Sequence, residues 1–135
     1  MIRSTLHPTP HTASPVSITL WGTGSPYREF LYVDDLADAC VFLMENVDFK
    51  DLTSDRGHVL NTHINIGTGQ DLTIKELAGI IKNAVGFKGQ LNWDASKPDG
   101  TFRKLLDVTK INRLGWKEKI CLEEGIKLIY NKYSA

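Results

Sequence analysis

Two glycine turns, Gly22-Thr23-Gly24 and Gly67-Thr68-Gly69, each follow an alternating apolar run and precede a helical pattern. That is where a dinucleotide-binding loop would stand. Such a loop needs a third glycine three residues on, because only a residue without a side chain lets the next helix pack close while its N-terminus meets a pyrophosphate. Tyr27 occupies that position after the first turn and Leu72 after the second. No tyrosine has a lysine four places on, so the Tyr-x-x-x-Lys pair that supplies a proton and holds a nicotinamide ribose is missing as well. The chain alone carries no visible means of binding and using a nicotinamide cofactor. Both glycine stretches read as ordinary turns.

The remaining pattern gives few, short strands and well-formed helices. Val16, Ile18 and Leu20 alternate with polar residues and end at Trp21, a short strand entering the turn Gly22 to Pro26. Leu36, Ala39, Cys40, Leu43, Met44 and Val47 follow helical spacing, with Asp34 or Asp35 placed to cap free N–H groups. Residues 48 to 62 are polar and aperiodic apart from Val59 and Leu60, a surface loop. HINIG, residues 63 to 67, predicts a short strand with Ile64 and Ile66 on one face. Thr73 and Glu76 form a capping box for a helix whose buried stripe is Ile74, Leu77, Ala78, Ile81 and Val85, closed by Gly86.

Phe87, Gly89, Leu91 and Trp93 alternate as a strand, and residues 94 to 104, DASKPDGTFRK, form a loop. A helical turn from Thr109 to Leu114 stops at Gly115. A last helix puts Leu122, Ile126, Ile129, Tyr130 and Tyr133 on one face, with Glu123 and Glu124 early and Lys132 late, as its dipole favours. The sum is a small α+β layer and not a doubly wound sheet. Residues 1 to 15, with three prolines and no periodicity, read as an irregular arm or truncated linker before a domain of residues 16 to 135.

With 135 residues and sixteen basic side chains balancing sixteen acidic ones, the chain fits one domain and has no general field for nucleic acid or an anionic membrane. Any anion site is local. The absence of a long apolar run or signal core makes a soluble, cytoplasmic protein the expectation. Cys40 and Cys121 sit at apolar-periodic places and are expected as buried, reduced thiols without chemistry. His7 and His11 are four apart, but Pro8 and Pro10 exclude an aligning helix and no cysteine lies near enough for a zinc pattern, so no metal site is expected. Asp34 and Asp35 read as helix caps before they read as a catalytic pair.

Arg28 follows a proline turn and precedes an apolar stretch, a place where its rigid fork is aimed and not free to sweep through solvent. Residue chemistry leaves two uses open: gripping phosphate oxygens, or pairing with Glu29 or a nearby aspartate. Lys97, Arg103 and Lys104 surround Asp99 and Gly100 in one loop, three cations for a polyanion or simply a solvated charged loop. Trp21 either stacks on a flat ring or belongs to the core.

WGTGSPYREFLYVDDLADA, HINIGTG, TIKELA and DASKPDGTFRKLLDVTKINRLGW, in that order from about residue 16 to the C-terminus, resemble the GDP-L-fucose synthase family of extended short-chain dehydrogenase/reductases. The resemblance implies a protein with an N-terminal Rossmann domain that binds NADP and carries catalysis, and a smaller C-terminal domain that holds the nucleotide-sugar. This chain resembles the second domain only. It implies no catalytic, cofactor-binding or metal residue here. It also implies four substrate contacts: Arg28 and Lys104 at the diphosphate of a GDP-sugar, Trp21 packed on the ligand, and Asp99 accepting from a hydroxyl or base edge. Partners implied are the GDP-sugar and the missing Rossmann domain, with a homodimeric complete enzyme. The competing expectations are a free-standing nucleotide-binding module and a purely structural or oligomerisation domain.

Overall fold

A computed structural model of the chain describes residues 16–53 and 61–134. The arm of residues 1 to 15, with His7 and His11, lies outside these residues, as do Val59 and Leu60. Strand β1, Ser17–Trp21, pairs in parallel with β4, Gln90–Asp94, running from Ser17 opposite Gln90 to Trp21 opposite Asp94. A second sheet has the order β3, β2, β5: Asp71–Thr73 antiparallel to Tyr27–Glu29, which is parallel to Arg103–Lys104. The described architecture is α+β, with two small sheets and no doubly wound layer.

Four helices complete it: α1 Val33–Asn46, α2 Ile74–Ala84, α3 Thr109–Leu114 and α4 Leu122–Ser134. The capping box of α2 forms as its sequence dictates, Thr73 Oγ1 accepting from Glu76 N at 3.1 Å while Thr73 N donates to Glu76 Oε2 at 2.8 Å. Gly86 ends the helix at φ +68°, and Gly115 ends α3 at φ +107°, conformations that side-chain-bearing residues resist. The core is Ala39, Ile111 and Trp116, with Phe42, Leu43 and Ile64 packed against it.

Several expectations are corrected. Neither Asp34 nor Asp35 caps α1, whose first residue follows Tyr32 without a side-chain bond. Asp35 is buried, 3% exposed, and accepts from the backbone N–H groups of Lys119 and Ile120 at 3.2 and 2.9 Å. A buried carboxylate is stable only with such donors. Asp38 takes Trp116 Nε1 and Lys119 Nζ, both at 2.8 Å, so α1 fastens residues 116 to 120 through two carboxylates one turn apart.

HINIG forms no ladder among the described residues, although Ile64 and Ile66 do face the core. Alternation decides which side is apolar; a ladder also needs a neighbouring strand. The surface loop after α1 contains a 3-10 turn, Phe49–Leu52, and the 94–104 loop gives its last two residues to β5. The stripe of α2 is half-covered instead of buried. Both cysteines are free and exposed, because Cys40 is rotated about 100° along α1 from the buried Ala39 and Cys121 precedes the covered turn of α4.

Candidate functional site

The turn after β1 is where the two sheets and α2 meet. Gly22 and Gly24 have φ of +82° and +76°, and each backbone is packed against a side chain: a Cβ on Gly22 would lie 2.3 Å from Asp99 Oδ1, and one on Gly24 2.6 Å from the Trp93 ring. Glycine is required at both for conformation and for space. The carbonyls of Gly24 and Pro26 accept from Lys75 N and Ile74 N at 2.9 and 3.0 Å, which satisfies the first free N–H groups of α2. The carbonyl side of the turn is therefore occupied by its own chain.

The second turn is filled too. Glu29 Oε1 accepts from Thr68 N and Gly69 N, both at 2.6 Å, and its Oε2 accepts from Leu106 N at 3.0 Å. Backbone donors that could meet an anion instead hold this carboxylate. Glu29 is consequently not the partner of Arg28, a role the sequence leaves open for it. Its anchoring of residues 39 to 77 positions away has no local signal.

Arg28, half-buried on β2, donates through Nη1 to the carbonyls of Tyr27 and Thr101 at 2.5 and 2.7 Å. Gly100 packs against its Nη2, where an added Cβ would stand at 3.1 Å. No carboxylate pairs with Arg28 among the described residues, and its Nε and Nη2 donors have no described partner. The two carbonyls engage one nitrogen of the guanidinium and leave its Nε/Nη2 edge without a described partner. That edge is the one that meets two oxygens of a phosphate side by side.

Trp21, Arg28 and Asp99 line one cleft of about 130 Å³, with Pro26 and Pro98 as its apolar walls. Lys104 does not line it. It is exposed on β5 as the register partner of Arg28, which places the two cations on the same face of that sheet. Trp21 is 76% exposed, which rejects the core reading, and Lys97 Nζ lies 5.6 Å from its ring centroid. Asp99 accepts from Thr23 Oγ1 at 2.6 Å and Thr23 N at 2.9 Å, and these bonds, the hydroxyl's first, hold its carboxyl below the usual range.

The three-cation loop is not used as one group. Arg103 makes a two-pronged bond to Asp71, 2.6 and 3.0 Å, and its guanidinium sits 5.6 Å from the Tyr27 ring centroid, on the face opposite Arg28. It is a strut between β5 and β3. Sequence reasoning missed Thr23, Glu29 and Thr101, whose roles arise from contacts across 39 to 77 residues.

A larger cavity of about 360 Å³ lies between Phe30, Asp71, Ile120 and Cys121. Its one basic side chain, Lys119, is tied to Asp38, and three carboxylates share its lining, so it suits no polyanion. The smaller cleft has the matching chemistry but holds only a phosphate-sized group, since ligand sites for whole small molecules run from roughly 300 Å³ upward.

Residues 1–67 match the NAD dependent epimerase/dehydratase family. The chain is 50% identical over 116 residues to GDP-L-fucose synthase 1 of Arabidopsis thaliana, an alignment covering 86% of this chain and 32% of that protein. Among solved structures it is similar to a GDP-6-OMe-4-keto-L-xylo-heptose reductase of Campylobacter jejuni, with 53% identity, a TM-score of 0.82, and 87% and 34% of the two chains covered. It is also similar to the GDP-mannoheptose C4 reductase of Campylobacter jejuni with NADP bound, with 51% identity, a TM-score of 0.76, and 88% and 35% covered. The chain spans about a third of the length of these relatives.

Proposed function

The chain belongs to the NAD dependent epimerase/dehydratase family, and from that membership we propose that residues 16–135 are the GDP-sugar-binding part of a GDP-L-fucose synthase. The complete protein would convert GDP-4-keto-6-deoxy-D-mannose to GDP-L-fucose by 3,5-epimerisation and NADPH-dependent 4-reduction, as a cytoplasmic homodimer. The residues described here supply grip and no chemistry. Arg28, with Lys104 beside it, neutralises the diphosphate; Trp21 packs on the ligand; Asp99 accepts from a hydroxyl or base edge.

The single observation that carries this reading is that Arg28, with no described partner at Nε or Nη2, lines one cleft with Trp21 and Asp99. An arginine with a purely structural role would be expected to meet a carboxylate, as Arg103 does. Binding energy collected at the nucleotide end would orient the sugar for both chemical steps, whose groups lie on the companion domain. Neither glycine turn has the third glycine of a dinucleotide loop, and the N–H groups of Thr23, Thr68 and Gly69 are engaged by carboxylates of the chain itself, which supports placing the NADP site on the companion domain.

One observation favours a second reading: the GDP-heptose reductases are as similar, at 53% and 51%, as the fucose synthase at 50%. Reduction at C4 of a GDP-heptose without epimerisation is the corresponding activity. Titration of the chain with GDP, followed by tryptophan fluorescence and calorimetry, tests the shared part. Weak, saturable binding that Arg28→Ala weakens by about tenfold or more is expected, the loss typical of one charge-assisted phosphate contact. Equal response of wild type and Arg28→Ala would sink it. Joining the chain to the N-terminal two-thirds of the Arabidopsis synthase then distinguishes the sugars by which GDP-keto-sugar drives NADPH oxidation.

A further inference from the structure

We infer that Thr23 is a positioning residue: its hydroxyl latches the 94–104 loop onto the glycine turn and thereby fixes the guanidinium of Arg28. The inference rests on the nucleotide-binding reading above, but the latch itself is a matter of geometry. Thr23 Oγ1 lies 2.6 Å from Asp99 Oδ2, and Thr23 N lies 2.9 Å from Asp99 Oδ1, so one residue engages both carboxylate oxygens. Oγ1 is also 2.8 Å from Ser25 Oγ and 3.1 Å from Ser25 N. A hydroxyl has one proton, and the ionised carboxylate can only accept. Thr23 therefore donates to Asp99 and accepts from Ser25, which fixes the direction of the whole turn.

The consequence travels two residues along the loop. Asp99 is followed by Gly100, packed on Arg28 Nη2, and by Thr101, whose carbonyl accepts from Arg28 Nη1 at 2.7 Å. Tyr27 N donates to the Phe102 carbonyl at 2.7 Å, which is the only other described backbone bond from this part of the loop to β2 before β5 begins. Arg28 thus stays aimed while the loop stays down: the β5 ladder and the Arg103–Asp71 pair hold its far end, and the latch holds the stretch at Asp99 and Gly100. The buried Gly22 completes the device, since any side chain there would strike Asp99.

The test compares the whole chain with Thr23→Val, which keeps shape and the backbone donor but loses the hydroxyl, and with Thr23→Ser, which restores it. Hydrogen exchange read over residues 94–104 accelerates by about tenfold in Thr23→Val, a change equivalent to ~1.4 kcal/mol, and returns to the wild-type rate in Thr23→Ser. GDP affinity falls in parallel and recovers in parallel. Unchanged exchange in Thr23→Val overturns the latch. Faster exchange with unaltered GDP affinity overturns the positioning role. If the wild-type chain does not respond to millimolar GDP, the nucleotide reading fails, and the latch is still judged by exchange alone. Should Thr23→Val fail to fold, Asp99→Asn gives the same loosening through the partner, and a rigid loop in that variant overturns the proposal.

Discussion

At the scale of single residues the site is built from backbone groups more than from charges. Arg28 is held by two carbonyls, and Glu29 by three N–H groups of the Gly67 turn and Leu106. Replacing Glu29 by alanine leaves those donors without their acceptor. A loss of about 2–3 kcal/mol in stability is expected by urea unfolding, the cost of orphaning partly buried donors. Acid acts on the same kind of contact. Thr23 holds the Asp99 carboxyl low, Lys119 with Trp116 holds Asp38 low, and Thr109 holds Asp107 low. A carboxylate depressed in the folded state contributes stability that is complete above its unfolded value and disappears as pH falls through the folded one. Stability should thus be level at neutral pH and decline below roughly pH 4. Thermal melting from pH 7 to 2.5 checks this, and Asp99→Asn should flatten part of the acid limb.

At the scale of elements, α2 is the part whose beginning and end are written locally. Thr73 and Glu76 start it, Gly86 stops it, and the turn carbonyls of Gly24 and Pro26 receive its first N–H groups. Thr73→Ala should cost about 1 kcal/mol, read as a lower denaturant midpoint with an unchanged slope. Gly24→Ala should cost more, because both the positive φ and the Trp93 ring oppose a side chain. The short strands behave differently. β2 and β5 have three and two residues, and no apolar alternation announces them. Arg28 and Lys104 become neighbours only through that pairing. HINIG has the alternation and lacks the partner.

At the scale of the whole molecule, apolar surface is left open on one element after another. Helix α1 turns Asp35 and Ala39 inward while Val33, Leu36, Val41 and Met44 are exposed, Met44 at 86%. Helix α4 carries Ile129, Tyr130 and Tyr133 outward, Tyr133 at 89%. A helix apolar on more than one face is ordinarily covered on more than one side. A marginally stable chain follows, one that binds an apolar dye when alone. Addition of the N-terminal two-thirds of a relative should raise the melting temperature and suppress the dye signal. No gain in melting temperature with a folded, soluble companion would count against the two-part reading.

The sequence by itself determined what is local: the capping box of α2, the glycine stops of α2 and α3, and the α+β class. These follow from residues within a few positions of each other, where backbone conformation and one or two hydrogen bonds decide the outcome. It also marked Arg28 as aimed, without saying at what. Only the tertiary structure decided that Glu29 anchors the second turn, that Arg103 is spent on Asp71, that Asp35 holds the approach to α4, and that Arg28 meets carbonyls and no carboxylate among the described residues. Each of those depends on which distant donor or acceptor the fold brings within about 3 Å, and hydrogen bonds of that reach leave no periodicity along the chain.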